Sequence, residues 1–317
     1  MHMPDRLPAI AFLISALIFA ACEKEITIKP NEGNDLIVVE GHIEPDLPPY
    51  VILTRSQTFF SETDITSLSH IFVQGATVTV SDGHRTVALT ELASNNLPGD
   101  LLDSISRMIG LPLASVSNPD GLKAVIYTTS ELTGQSGGRY TLSVEADGQH
   151  LSAVTTIPDR IVLDSVWTIP HPATDTLRTL MVRYTDPAPE ENYVRYFTSV
   201  NGRPFFPPYF TSVLDEKTYF NTSGKIVDIP LEKGHNRYDN DIDFSVYSYF
   251  AASDTIVLRW CSIDKDHFRF WSTAEFNRNS GGNPFSNPTH ISSNIKGGLG
   301  IWGGYNPGYY IIRPESD

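Results

Sequence analysis

The chain is poor in sulfur: 317 residues contain only two cysteines, Cys22 and Cys261. A disulfide scaffold needs several pairs, so that class is excluded. Cys261 sits in the apolar run Ile256–Cys261, where a free thiol behaves as a small buried hydrophobe. The chain also lacks an apolar run long enough to cross a bilayer as a helix. Its longest, Leu7–Ala21, would rise about 22 Å against a hydrocarbon core of about 30 Å. Basic residues are scarce too: 23 Lys and Arg face 37 Asp and Glu, a net charge of −14. Such a surface repels nucleic acid and anionic head groups, so neither is an expected ligand.

What is present begins with a targeting signal. Arg6 precedes the apolar stretch, and small residues arrive just before a cysteine in Phe19-Ala20-Ala21-Cys22. Residues 1–21 therefore read as a signal peptide, cleaved before Cys22, whose sulfur would carry lipid. Residues 22–34 are charged, polar and short, as suits a tether. A lipidated cysteine is unavailable for pairing, so neither a disulfide nor redox chemistry is expected.

The remainder is rich in Thr, Ser, Tyr and Phe, with charged residues at only 19%, a balance that favours strands over helical bundles. Residues 35–158 read as an antiparallel, immunoglobulin-like β-sandwich. Ala76, Val78 and Val80 alternate onto one face before Asp82-Gly83, and Tyr140, Leu142 and Val144 do so before Asp147-Gly148. Asp-Gly between alternating strands is a strong hairpin signal. Between the hairpins, residues 93–123 read as an insertion with a short helix capped by Asp100 and carrying Leu101, Leu102, Ile105, Met108 and Ile109. Ile157-Pro158-Asp159-Arg160 marks the expected boundary. Residues 159–317 then read as a second β-rich domain, with strands over 161–168, 177–185, 193–200, 244–250, 255–262 and 309–312. One helix is expected after Asp264, with Phe268, Trp271 and Glu275 or Phe276 at helical spacing and Ser280-Gly281-Gly282 ending it. The fold class is thus mainly β.

No catalytic residue is assigned. Gly134-Gln135-Ser136-Gly137-Gly138 fits the G-x-S-x-G string, but a nucleophile elbow leads into a helix and here a strand follows. Asp239, Asp241 and Asp243 resemble the start of a calcium loop. Its sixth and twelfth positions are Phe244 and Phe250, where Gly and Glu are needed. They remain a weak calcium candidate beside the plainer reading of a solvated turn. The acid pairs Glu190-Glu191, Asp215-Glu216 and Asp264/Asp266 are loop-like or suited to capping. The nine histidines are scattered without metal-ligand spacing, so no metal or cofactor is expected.

Two segments suit binding. Arg203–Phe210 combines prolines, which lower the entropy lost on ordering, with Phe205, Phe206, Tyr209 and Phe210. The same loop could instead fold onto its own core. Asn294–Tyr305 is rich in glycine and carries Trp302 and Tyr305, which could stack on a ligand, although a Gly-rich structural crossover is the plainer reading.

The order of Cys22-Glu23-Lys24-Glu25, Leu36–Gly41, Val51–Phe60, the Gly75–Gly83 hairpin, Gly138–Pro158, Ser262-Ile263-Asp264 and Asn283–Gly300 resembles the Bacteroidota lipoproteins grouped as domain of unknown function 4249. The resemblance covers nearly the whole chain. It carries no established activity. It implies a palmitate-bearing, surface-exposed outer-membrane lipoprotein that serves nutrient uptake beside a SusC-like TonB-dependent transporter. Two alternatives stand next to it: a hydrolase using loop carboxylates such as Asp215, Asp239 or Asp241, and a surface adhesin or structural protein.

Overall fold

The computed structural model describes residues 36–56, 71–97, 102, 123–185, 191–215, 226–236, 242–280 and 290–313. Cys22, the tether and most of the expected 93–123 insertion lie outside them. Within that insertion Ser94–Asn96 form a 3-10 turn, and Leu102 is helical and buried.

The protein is mainly β, with one long helix among the described residues. The first half holds β1 (Ile37–Ile43), β2 (Tyr50–Arg55), β3 (Thr77–Ser81), β4 (Thr86–Ala93), β5 (Val125–Thr128), β6 (Arg139–Ala146) and β7 (Gln149–Thr156). The second holds β8 (Ser165–His171), β9 (Thr174–Thr185), β10 (Tyr193–Val200), β11 (Val213–Asp215), β12 (Ile226–Leu231), β13 (Phe250–Ala251), β14 (Ile256–Ile263), α1 (Lys265–Ser280) and β15 (Leu299–Ile312). Alternation sets the faces. Val78 and Val80 of β3, Tyr140, Leu142 and Val144 of β6, and Leu151 and Ala153 of β7 all point into one core. The β6–β7 turn has positive φ at both Asp147 and Gly148, the backbone of a hairpin turn whose twist matches its strands.

Eleven strands form one sheet, in the order β11-β10-β14-β15-β1-β2-β5-β4-β3-β6-β7; β8, β9, β12 and β13 form a second. β15 is the hinge of this topology. Its first half runs parallel to β1, from Val38↔Leu299 to Ile43↔Gly304. Its second half pairs antiparallel with β14, from Ile263↔Tyr305 to Ile256↔Ile312. Just before it, Lys296 and Ser152 exchange backbone hydrogen bonds of 3.1 and 2.8 Å, tying the lead-in to β7 and curling the first-half sheet round its core.

β15 is longer than the strand expected over 309–312, and the Gly-rich segment is not a crossover. Its glycines fit a strand squeezed between neighbours. A Cβ on Gly300 (φ +102°) would lie 2.0 Å from Val39 O, and one on Gly303 would meet the His267 ring at 2.5 Å. One parallel pairing thus enters a sheet expected to be wholly antiparallel, because the chain returns to β1 from the far end of the second half.

Two main hydrophobic clusters result. The first, around Ile37, Leu53, Ile126 and Leu142, includes Trp302 from β15; the second gathers Leu180, Tyr184, Phe250, Leu258 and Trp260. Residues 35–317 make one compact unit. Polar clamps join the halves. Asp264 caps α1 through His267 N (2.9 Å), and its other oxygen accepts from Thr155 Oγ1 (2.7 Å) and Thr156 N (2.9 Å). Glu44, just after β1, pairs with Arg259 of β14. On α1, Glu275 is buried and Phe276 is exposed.

Candidate functional site

β10 ends at Val200, and Asn201-Gly202, both with positive φ, reverse the chain. The returning segment re-pairs at once: Thr198 and Phe206 exchange two backbone hydrogen bonds of 3.0 Å. Next to it runs the segment after β12. His235 N donates to Pro207 O (2.9 Å), and Gly234 N donates to Thr198 Oγ1 (2.7 Å). Gly234 lies so close that a Cβ there would stand 2.0 Å from Phe206 O, so the position needs glycine. The end of α1 fixes the outer part of the loop. Arg278 Nη2 donates to Tyr209 O (2.8 Å) and Asn279 Nδ2 to Phe210 O (2.7 Å).

These supports hold four aromatic rings in a closed circuit. Tyr209 meets Phe210 at 5.1 Å, Phe210 meets Tyr247 at 5.5 Å, Tyr247 meets Phe244 at 5.8 Å, and Phe244 meets Tyr209 at 5.2 Å. Three of the four are edge-on contacts, the geometry that ring quadrupoles favour, worth about 0.5–1.5 kcal/mol per pair. Beside the circuit opens a cavity of about 420 Å³ lined by Pro207, Pro208, Tyr209, Phe210, His235, Phe244, Arg278 and Asn279. Phe244 is 55% exposed and Phe210 42%. Large apolar rings left in water at the mouth of a concave site mark a contact surface. Among the described residues the lining holds no carboxylate.

The aromatic loop supplies Tyr209 and Phe210 to this cavity. Phe205, partly buried, instead packs edge-on against Tyr309 at 5.9 Å, and Phe206 serves through its backbone. Trp302 and Tyr305 are elsewhere and buried. Trp302 has no exposed surface, and its Nε1 donates to Tyr140 O (3.1 Å). Tyr305 is 4% exposed, and its hydroxyl accepts from Arg195 Nη1 (2.6 Å). Neither can stack on a ligand from solvent in this conformation.

Of the calcium candidates, Asp239 and Asp241 lie outside the described residues. Asp243 is described: its Oδ1 accepts from Ser245 N (2.9 Å) and Ser245 Oγ (2.7 Å), and these bonds hold its carboxyl below the usual range. Among the described residues no group of three or more His, Cys, Asp or Glu is placed to hold a metal ion. Ser136 lies in a turn, accepts from Asn306 Nδ2 (2.9 Å) and donates to Asp159 (2.8 Å). Asp215 ends β11, opposite Tyr193. Glu191 accepts from Tyr193 Oη (2.7 Å) and Lys265 Nζ.

His235, Phe244, Tyr247, Arg278 and Asn279 escaped sequence reasoning. Phe244–Phe250 looks like a strand, but residues 244–248 form a turn and only Phe250–Ala251 is strand. The turn lets Phe244 and Tyr247 meet across one bend. Their three-residue spacing was the available signal.

A second, enclosed cluster lies where the halves meet. Arg195 Nε donates to Ser212 Oγ (2.9 Å), Ser212 N donates to Glu275 Oε2 (2.8 Å), and the guanidinium lies 3.4 Å over the Trp271 ring. His42 bonds Glu44 and stacks near Tyr50 and Tyr305. Burial raises the Glu44 carboxyl, but Arg259 and His42 outweigh it and bring it down to about 2. Burial keeps His42 and, further, His267 below the usual imidazole value, and pushes the Cys261 thiol up to about 12. This is a structural cluster in which charges are paired.

The chain belongs to the family described as domain of unknown function 4249, whose model matches residues 23–310. No curated protein matches the chain.

Proposed function

From that membership we propose that the protein is a non-enzymatic lipoprotein of the bacterial outer membrane, anchored through Cys22, that captures a ligand for a TonB-dependent transporter of the SusC-like type. The observation that carries the reading is the aromatic cavity and its position. The described chain starts at Leu36, beside the first residues of β1 and β15. The cavity loop pairs with β10 at Thr198, which lies level with Leu258 and Tyr310 near the end of β15. About eleven residues of strand separate those levels, roughly 35 Å. A ligand site is thus held at the opposite end of β15 from the start of the described chain.

Lipid on Cys22 supplies the anchor in this reading, and the charged residues 23–34 supply reach. The described lining supports capture, since it offers exposed rings and hydrogen-bonding groups to a ligand. Mild-detergent purification of the tagged lipoprotein from its own cells tests the proposal. A transporter barrel should co-purify, and Phe244→Ala should leave its recovery unchanged. Recovery of free monomer alone would sink the transporter role. Palmitate label on a Cys22→Ala chain would sink the anchor.

A further inference from the structure

The polar groups of the aromatic cavity are oriented by bonds already made, and that narrows what fits. Asn279 uses one of its two Nδ2 hydrogens on Phe210 O, which fixes the amide's orientation and leaves it one N–H donor and the acceptor Oδ1. Arg278 beside it is donor-only and positively charged. A cationic ligand, which an aromatic circuit alone would favour, gains no acceptor from the donor-only guanidinium. A carboxylate, which Arg278 alone would favour, accepts only and so leaves Asn279 Oδ1 without a donor. A hydroxyl both donates and accepts, so neighbouring hydroxyls satisfy both side chains. The rest of the described lining is the rings of Tyr209, Phe210 and Phe244, two prolines, and His235, whose Nε2 bonds Tyr247 O. That surface suits a ring with a C–H face, which stacks on aromatic carbon without giving up its equatorial hydroxyls to an apolar wall.

Resting on the capture reading, we propose that this cavity binds a neutral saccharide, with Phe244 and Tyr209 as stacking platforms and Asn279 and Arg278 as hydroxyl partners. A volume of about 420 Å³ holds one or two sugar rings, within the size range of small-molecule sites.

The test is calorimetric titration of the full detergent-solubilised lipoprotein with maltohexaose, cellohexaose, xylohexaose and mannohexaose, beside hexagalacturonate and choline as charged comparators. At least one neutral hexasaccharide should bind, and neither charged probe should bind more tightly. Phe244→Ala removes a ring that is already 55% exposed, so the fold should survive. Its affinity should fall at least tenfold, and Asn279→Leu should act likewise. Phe276→Ala, on an exposed helix position outside the lining, should change nothing. The proposal is overturned if no neutral saccharide binds, if a charged probe binds best, or if binding survives Phe244→Ala in a chain whose circular dichroism is unchanged. Co-purification with a transporter barrel, scored on the same preparation, separates the two ideas. A chain that brings down the barrel but binds no saccharide retains the accessory role and loses this ligand class.

Discussion

Gly300 and Gly148 share a left-handed backbone but not a neighbourhood. Nothing lies within 4 Å of a Cβ built on Gly148, whereas one on Gly300 would stand 2.0 Å from Val39 O. Alanine at Gly148 should therefore cost only the backbone strain, about 1 kcal/mol. At Gly300 it should cost about 3 kcal/mol or more, because β1 and β15 must part. Urea unfolding of the two variants measures the difference. Glu44 gives a second residue-scale prediction. Its folded carboxyl sits at about 2 against an ordinary 4.5, so the unfolded chain binds the proton more readily. Its stabilising contribution, about 3 kcal/mol, is complete above pH 4.5 and lost as pH falls towards 2. His42 and His267 also sit below their ordinary 6.5; folding disfavours their protonated forms, so stability starts to fall already below pH 6.5. Glu44→Gln should be less stable than the parent at pH 7 and converge with it as the pH approaches 2, in denaturant titrations at each pH. The Gly148 turn was legible in the sequence, but the Glu44 cluster was not. His42 and Glu44 are two residues apart on a strand end, while Arg259 reaches them only once the halves have met.

At the scale of elements, pattern sufficed where one face is dry. The β6–β7 hairpin and the helix after Asp264 follow directly from alternation, Asp-Gly and a capping carboxylate. Asp264 does more than cap, because its second oxygen holds Thr155 and Thr156 of β7. Asp264→Ala should therefore cost about 2 kcal/mol or more, above the ~1 kcal/mol of an ordinary cap, and the loss should be visible as a lowered melting temperature. Periodicity failed for β15, where glycine replaces the side chains that would have carried it. It failed also for Phe244–Tyr247, where an aromatic, β-prone composition resembles a strand but serves a turn. Half of the described lining, Pro207, Pro208, Tyr209 and Phe210, was readable from proline and aromatic content. The other half comes from the segment after β12, the 244–248 turn and the end of α1, and no local signal links those pieces.

For the whole molecule, the last strand belongs to both cores. Trp302 packs in the first cluster, and Tyr310 and Ile312 pack against the second. A chain ending at Gly298 should lose both cores rather than one, although residues 35–158 alone carry a complete sandwich pattern. Its circular dichroism and near-ultraviolet signal should both collapse. In the intact chain, single-tryptophan variants retaining only Trp302 or only Trp260 should unfold at the same denaturant concentration. Two separated midpoints would mean that β15 couples the halves weakly. The direction of β15 has a mechanical consequence as well. β1 starts at Ile37, one residue after the described chain begins, and β15 runs parallel to it towards the cavity. A load applied between an anchored amino terminus and a partner gripping the cavity therefore pulls along the strands. The ladder from Val38↔Leu299 to Ile43↔Gly304 is then sheared, with its rungs strained together instead of unzipped in turn. A protein tethered at one end and tugged at the other would yield at that ladder last.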